Sequence, residues 1–234
     1  INFFNFILMN FPILSSLIIL PSLGALFLLF LKNDISSNYR SSKYVSLFVT
    51  FSNFLISLYL WYLFDSSNPE FQFIEEKVWI REFVNYKIGI DGISILFILL
   101  TTFITPICII LINNTVKIRL KEFLISVLIL ESLMIGVFCS LDLFIFYLFF
   151  EGGLIPMFLI IGIWGGNRRV YSAFKFFLYT LLGSVLMLIA IITIYWLTGT
   201  TDIIKLYELG IDYKYQNLLW LAFFSSFAVK TPMW

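Results

Sequence analysis

The chain has 234 residues, 61% of them hydrophobic and 12% charged, whereas roughly a quarter of the residues in a soluble domain are charged. That balance argues against a water-soluble fold, and a net charge of +1 with scattered basic residues leaves no stripe for nucleic acid. The absence of His excludes bis-His haem, His-rich zinc sites and imidazole relays. Cys108 and Cys139 sit in apolar runs without CxxC spacing, so buried thiols are expected, with no metal site and no disulfide.

A spanning helix needs about 20 apolar residues to cross roughly 30 Å of hydrocarbon. In chain order, the first such run is Phe11 to Leu31. It lacks a basic leader and a small-residue cleavage site, so a span is expected and not a removable signal. The chain begins at Ile1 instead of Met, which a non-standard start codon, processing or a trimmed end would each explain. Lys32, Arg40 and Lys43 follow the first run, and the second is Val45 to Phe64. Asp65 to Lys87 mixes Phe71, Phe73, Ile74, Val78, Trp79 and Ile80 with charges that include Glu70, Glu75, Glu76 and Glu82, and is expected to lie along the interface as a cap.

The third run is Ile88 to Ile112, with Asp91 near its start as an expected helix cap. Lys117, Arg119 and Lys121 follow, then the fourth run, Phe123 to Leu141. Asp142 marks a turn and a second expected cap before the fifth run, Leu143 to Ile163. Arg168 and Arg169 precede the sixth, Ala173 to Leu197. Thr198 to Asn217 carries Asp202, Glu208 and Asp212, and a seventh run begins near Leu218 and is cut short at Trp234.

These runs are apolar on every face, while barrel strands alternate, so the fold class is all-α: a polytopic transmembrane bundle of six full spans and a truncated seventh. Basic residues cluster after the first, third and fifth runs, which puts those loops on the cytoplasmic or matrix side and the N-terminus outside. The expected division is residues 1–122, holding helices 1 to 3, and residues 123–234, holding helices 4 to 7.

Ionisable residues inside the spans carry the chemistry. Glu151 lies eight residues beyond Leu143 and twelve before Ile163, so about 12 to 18 Å from either helix end. A charge at that depth costs roughly 2.5 to 3.5 kcal/mol and must face the protein interior; the alternative is a neutral packing carboxyl. Gly152, Gly153 and Pro156 beside it loosen the helix and open room for water. Lys230 lies about 18 Å into the last run, with snorkelling to an interface as its alternative. Glu131 is a third deep group, and Lys175, near the start of the sixth run, is expected to snorkel. Burial and a nearby ammonium act in opposite directions on a carboxyl's proton affinity. A mobile Lys230 would therefore switch Glu151 between its ionised and protonated forms.

The sequence has no dinucleotide fingerprint, Walker motif, nucleophile elbow or cysteine cluster, so no redox or hydrolytic step is expected in this chain. The blocks FYLFFEGGLIPMFLIIGIWGG, NRRVYSAFKFFLYTLLGSVLML and AFFSSFAVKTPMW resemble the chain 4 family of NADH:ubiquinone oxidoreductase, respiratory complex I. The weaker block YKIGIDGISILFILLTTFITPI extends the resemblance to the third run. Chain 5 of that complex and the Mrp-type cation/proton antiporter subunits share the glutamate and lysine plan, but the Pro-Met and IWGG after Glu151 fit chain 4 better.

The resemblance implies an antiporter-like, proton-translocating membrane-arm subunit in which Glu151 and Lys230 form the proton-transfer pair. Glu131 and Lys175 are possible members of the path. FMN, iron–sulfur clusters and quinone are expected in partner subunits and no cofactor in this chain. The expected partners are other complex I membrane-arm subunits, membrane lipids and a separate chain supplying the missing C-terminal helices. The expected location is the mitochondrial inner membrane, with a bacterial plasma membrane as the alternative. Members of that family contain two inverted repeats, and this chain stops within the first, as a split-gene product or a truncated one. A Mrp-type antiporter subunit and a non-pumping structural fragment are the rival readings.

Overall fold

The computed structural model describes residues 12–31, 40–80, 84–112, 116, 118–231 and 233. Ile1, Phe11, Lys32, Glu82, Lys117, Pro232 and Trp234 lie outside that set. Nine helices and two strands are defined among the described residues: α1 (Ile13–Phe30), α2 (Arg40–Leu63), β1 (Gln72–Ile80), β2 (Val84–Ile90), α3 (Ser94–Leu111), α4 (Leu120–Cys139), α5 (Leu143–Gly152), α6 (Leu154–Trp164), α7 (Arg169–Thr198), α8 (Ile203–Leu209) and α9 (Tyr213–Lys230). Taking α5 and α6 together, six segments are long and apolar enough to cross a membrane, so the all-α transmembrane bundle holds.

Several boundaries differ from the sequence expectation. Asp65 to Lys87, expected as a cap along the interface, holds strands: β1 and β2 pair into a two-stranded sheet, and the strand continues to Ile90, so the third span starts at Ser94 instead of Ile88. Aromatic and β-branched residues in QFIEEKVWI and VNYKIGI favour this extended form. Helices α2 and α7 begin at Arg40 and Arg169, taking in basic residues expected in loops. Helix α9 starts at Tyr213, five residues before Leu218, because Asp212 caps it by accepting from Lys214 N. Asp91 behaves as expected: its Oδ1 accepts from Ser94 N (2.7 Å) while Ser94 Oγ accepts from Asp91 N (2.8 Å). Gly199, at φ 73°, ends α7 in the left-handed conformation that glycine tolerates best.

The chain divides into two compact units. The first comprises residues Ile1–Glu75 and Ile88–Cys139, with α1 to α4. Helix α2 is inside-out by soluble standards. On α2 the buried stripe is Ser42, Ser46, Thr50, Asn53 and Ser57, while Phe48, Phe51 and Leu55 are exposed. Lipid tails are as apolar as leucine, so small residues that permit close approach and hydroxyls that bond across helices select the interface. Ser57 pairs with Thr102 of α3 at 2.7 Å, and Ser22 of α1 donates to Ser132 of α4 at 2.8 Å.

The second unit comprises Glu76–Lys87 and Ser140–Trp234, with α5 to α9. Here α7 packs on α9 through Gly183, where an added Cβ would lie 3.0 Å from Val229 Cβ. Ala190, Ile194 and Leu219 form an apolar cluster against which Leu143 packs. The α5–α6 span is interrupted at Gly153. Pro156 has no N–H to give Gly152's carbonyl and its ring crowds that oxygen, so the ladder breaks just after Glu151, as the sequence leads one to expect.

Candidate functional site

The second unit brings Glu151 and Lys230 together. Glu151 stands in the last turn of α5 and Lys230 at the end of α9. The ammonium of Lys230 donates to the carbonyl oxygen of Phe150 at 2.5 Å and lies 3.3 Å from the centroid of the Phe150 ring, a cation–π seat. It is thus anchored on the residue preceding Glu151. The two side chains act on each other electrostatically without forming an ion pair, the described residues holding one salt bridge, elsewhere.

Both carboxylate oxygens of Glu151 are buried without a hydrogen-bond partner, as is Ser226 Oγ one turn before Lys230. Ser184 of α7 is close by, but its hydroxyl donates to Leu181 O at 2.9 Å. Phe146, Phe150 and Phe227 pack edge-on or stacked with centroids 5.4 to 6.4 Å apart and wall the site in aromatic carbon. A carboxylate and an ammonium held in such surroundings, close but unpaired, can each gain or lose a proton as the gap between them changes.

Glu131 lies in the first unit and forms a different arrangement. It is 1% exposed and its Oε1 accepts from Asn53 Nδ2 at 2.9 Å. Its Oε2 and the Asn53 Oδ1 are buried without partners, and it borders an apolar cavity of about 670 Å³ lined by Phe97, Ile104 and Phe138 among others. The neighbour is a neutral amide, not a cation. Lys175 is exposed, with its ammonium 6.0 Å from the Tyr171 ring centroid; the structure leaves it out of the Glu151 site. Cys139 is buried and Cys108 exposed, both free thiols, and among the described residues no cluster of His, Cys, Asp or Glu has metal-ligand geometry.

Sequence reasoning missed Asn53 in the first unit, and Ser226 and a further polar centre in the second unit. Asn53 had a signal, the spacing of Ser46, Thr50, Asn53 and Ser57 along one helix face. Asp142 caps α5 as expected, accepting from Phe144 N and Ile145 N at 2.9 and 3.2 Å. It also accepts from Thr201 Oγ1 at 2.5 Å and pairs in an antiparallel bridge with Asp202. Asp202 in turn accepts from Lys87 Nζ at 2.6 Å. Burial raises the Asp142 carboxyl above the usual range, the Thr201 hydroxyl and the two backbone donors opposing it and Asp202's charge adding to it. A cavity of about 460 Å³ reaches this cluster from the side of Asn85 and Lys205.

Comparison with known proteins gives a consistent result. The family model described as NADH:quinone oxidoreductase/Mrp antiporter, TM, matches residues 140–234. The chain is 54% identical over 210 residues to NADH-quinone oxidoreductase subunit M of Rhodobacter capsulatus, covering 83% of this chain and 40% of that one. It is 50% identical over 222 residues to NADH-ubiquinone oxidoreductase chain 4 of Arabidopsis thaliana, covering 94% and 44%. Among solved structures, respiratory complex I from Thermus thermophilus with bound NADH matches with a TM-score of 0.81 at 27% identity, over 94% of this chain and 44% of that one. The membrane-bound sulfane sulfur reductase, an archaeal respiratory membrane complex, shares the fold with a TM-score of 0.74 at 17% identity. The chain therefore spans less than half the length of these relatives.

Proposed function

We propose that this chain, which is similar to antiporter-like membrane subunits of NADH:quinone oxidoreductases, contributes to proton translocation in the membrane arm of such a complex, through Glu151 and Lys230. The supporting observation is the seat of Lys230 on the Phe150 carbonyl, next to a Glu151 carboxylate that is buried and unpartnered. When the ammonium swings toward Glu151 it favours the carboxylate; when it returns to Phe150 the carboxyl takes up a proton and the ammonium loses one more readily. The Gly153 break and the long, flexible Lys stem supply the freedom for that movement, and the bond to Phe150 marks one of its two positions.

Electron transfer belongs to partner subunits on this reading: they hold FMN, iron–sulfur clusters and quinone, and this chain holds none. Its partners on this reading are other membrane-arm subunits and the surrounding lipids; the chain represents less than half of each relative's length. The site of action is the inner mitochondrial membrane, or the plasma membrane in a bacterium. Within the chain, residues 123–234 form the start of the antiporter-like repeat and residues 1–122 its preceding helices.

The test is NADH-driven proton uptake in proteoliposomes of the assembled complex. Lys230→Met and Glu151→Gln should each lower the protons moved per NADH oxidised at least several-fold, and undiminished pumping would refute the pair. The family description also covers Mrp antiporters, and this favours a second reading as a cation/proton antiporter subunit. Transport driven by a sodium gradient and indifferent to NADH would select it. A non-pumping fragment predicts that neither variant matters.

A further inference from the structure

Three segments of the second unit meet at the outer end of α5. Leu141 N donates to Lys87 O at 3.0 Å, Leu143 N to Thr201 O at 2.9 Å and Ile203 N to Leu141 O at 2.9 Å. The side chains within this stitch are charged and buried: Lys87 is 8% exposed, Asp142 2% and Asp202 5%. Lys87 bonds Asp202 at 2.6 Å, Thr201 bonds Asp142, and Ile204 N donates to the other Asp202 oxygen at 3.0 Å. Two carboxylates and one ammonium leave the cluster with a formal charge of −1 in its ionised state.

A buried ion cluster is a poor way to gain stability, since well-packed apolar residues of similar volume do as well or better. What it supplies that apolar residues cannot is a fixed field. Asp142 caps the same ten-residue helix that ends at Glu151, nine positions and about 14 Å away along the axis. Leu143 and the Ala190–Ile194–Leu219 cluster occupy unit 2 with hydrocarbon, which screens a field far less than water does.

Resting on the Glu151–Lys230 reading, we propose that Lys87, Asp142 and Asp202 are positioning residues for proton transfer, a charged anchor that holds α5 and sets the pH range over which Glu151 works. Glu151 is itself faced by Lys230 from α9 and Tyr147 from α5. Helix α6 has no titratable side chain, and α7 carries Arg169, Tyr171, Lys175 and Tyr179, all exposed, and Tyr195, half-buried, near its far end. Around the anchor, Lys205 lines the adjoining cavity, and Glu208 lies one turn further along α8. The anchor differs from all of these in being tied to the Glu151 helix through its cap, Asp142. One unit of charge at about 14 Å in an effective dielectric near 20 shifts a titration by about 0.9 pH unit.

The experiment uses the intact complex in proteoliposomes and reads the alkaline limb of NADH-driven pumping. Lys87→Met and Asp202→Asn break the same ion pair but change the cluster's charge in opposite senses. Lys87→Met, leaving −2, should move the limb up by on the order of half a pH unit or more, and Asp202→Asn, leaving 0, should move it down on the same scale. The double variant, again at −1, should return close to the parent. Shifts in the same direction, or none, would overturn the proposal, because a merely structural clamp is damaged alike by both changes. Where Lys87→Met fails to assemble, the sign for Asp202→Asn decides alone. Glu151→Gln is run beside them: if it pumps normally, the Glu151 reading has failed, and opposite shifts from the two anchor variants then belong to another proton-accepting group.

Discussion

Each unit of the chain buries an acid at mid-membrane depth, and the two acids are treated differently. Glu131 is 1% exposed and bonded to the neutral amide of Asn53; Glu151 has no hydrogen bond and a nearby ammonium that is engaged elsewhere, on Phe150. A carboxyl beside an amide keeps the same partner in either protonation state. One beside a movable cation has two arrangements of different charge. Depth in the membrane makes a residue costly; a second, alternative partner makes it switchable.

This contrast is open to attack at several points. The largest expected effect is on Glu151: its change to Gln should cut pumping per NADH at least several-fold through lost proton transfer, whereas Glu131→Gln should keep more than half of the parental ratio. Equal losses would erase the distinction between the units. Next, Asn53→Leu deprives Glu131 of its donor, and a buried group left unsatisfied costs about 1–3 kcal/mol. That loss should appear as a lower melting temperature of the detergent-solubilised complex, and should shrink when Glu131→Gln is added.

A smaller effect is expected at Gly183, where a methyl group would press on Val229, next in sequence to Lys230. Gly183→Ala should destabilise by about 1 kcal/mol through overpacking and lower pumping efficiency, with both recovered by Val229→Ala. The smallest concerns Lys175: exposed over Tyr171, it should tolerate Met within about 0.5 kcal/mol and leave pumping unchanged. A large pumping defect in Lys175→Met would place it in the path after all.

The spans were legible because continuous apolar length is dictated by bilayer thickness, and the depths of Glu131, Glu151 and Lys230 followed from counting along each helix. The Gly153 interruption was legible from Pro156. The strands β1 and β2 were not read, although Phe73, Val78, Trp79, Val84 and Ile88 are good strand formers, because the charges interleaved with them suggested only a cap lying along the interface. The Lys87–Asp142–Asp202 anchor was invisible for another reason. Lys87 and Asp202 are 115 residues apart, Asp142 and Thr201 are 59 apart, and each alone looks like an ordinary loop charge or cap. Only packing brings them together. Likewise, sequence placed Glu151 and Lys230 at similar depth but said nothing of Phe150, whose carbonyl and ring hold the ammonium.

The most direct test of the account follows protonation of the carboxyl itself. Infrared difference spectra of the complex, recorded on adding NADH in the presence of quinone, should contain a carboxyl C=O band that disappears in Glu151→Gln, persists in Glu131→Gln and is altered in Lys230→Met. A band that survives Glu151→Gln unchanged would contradict the claim that this residue carries the proton.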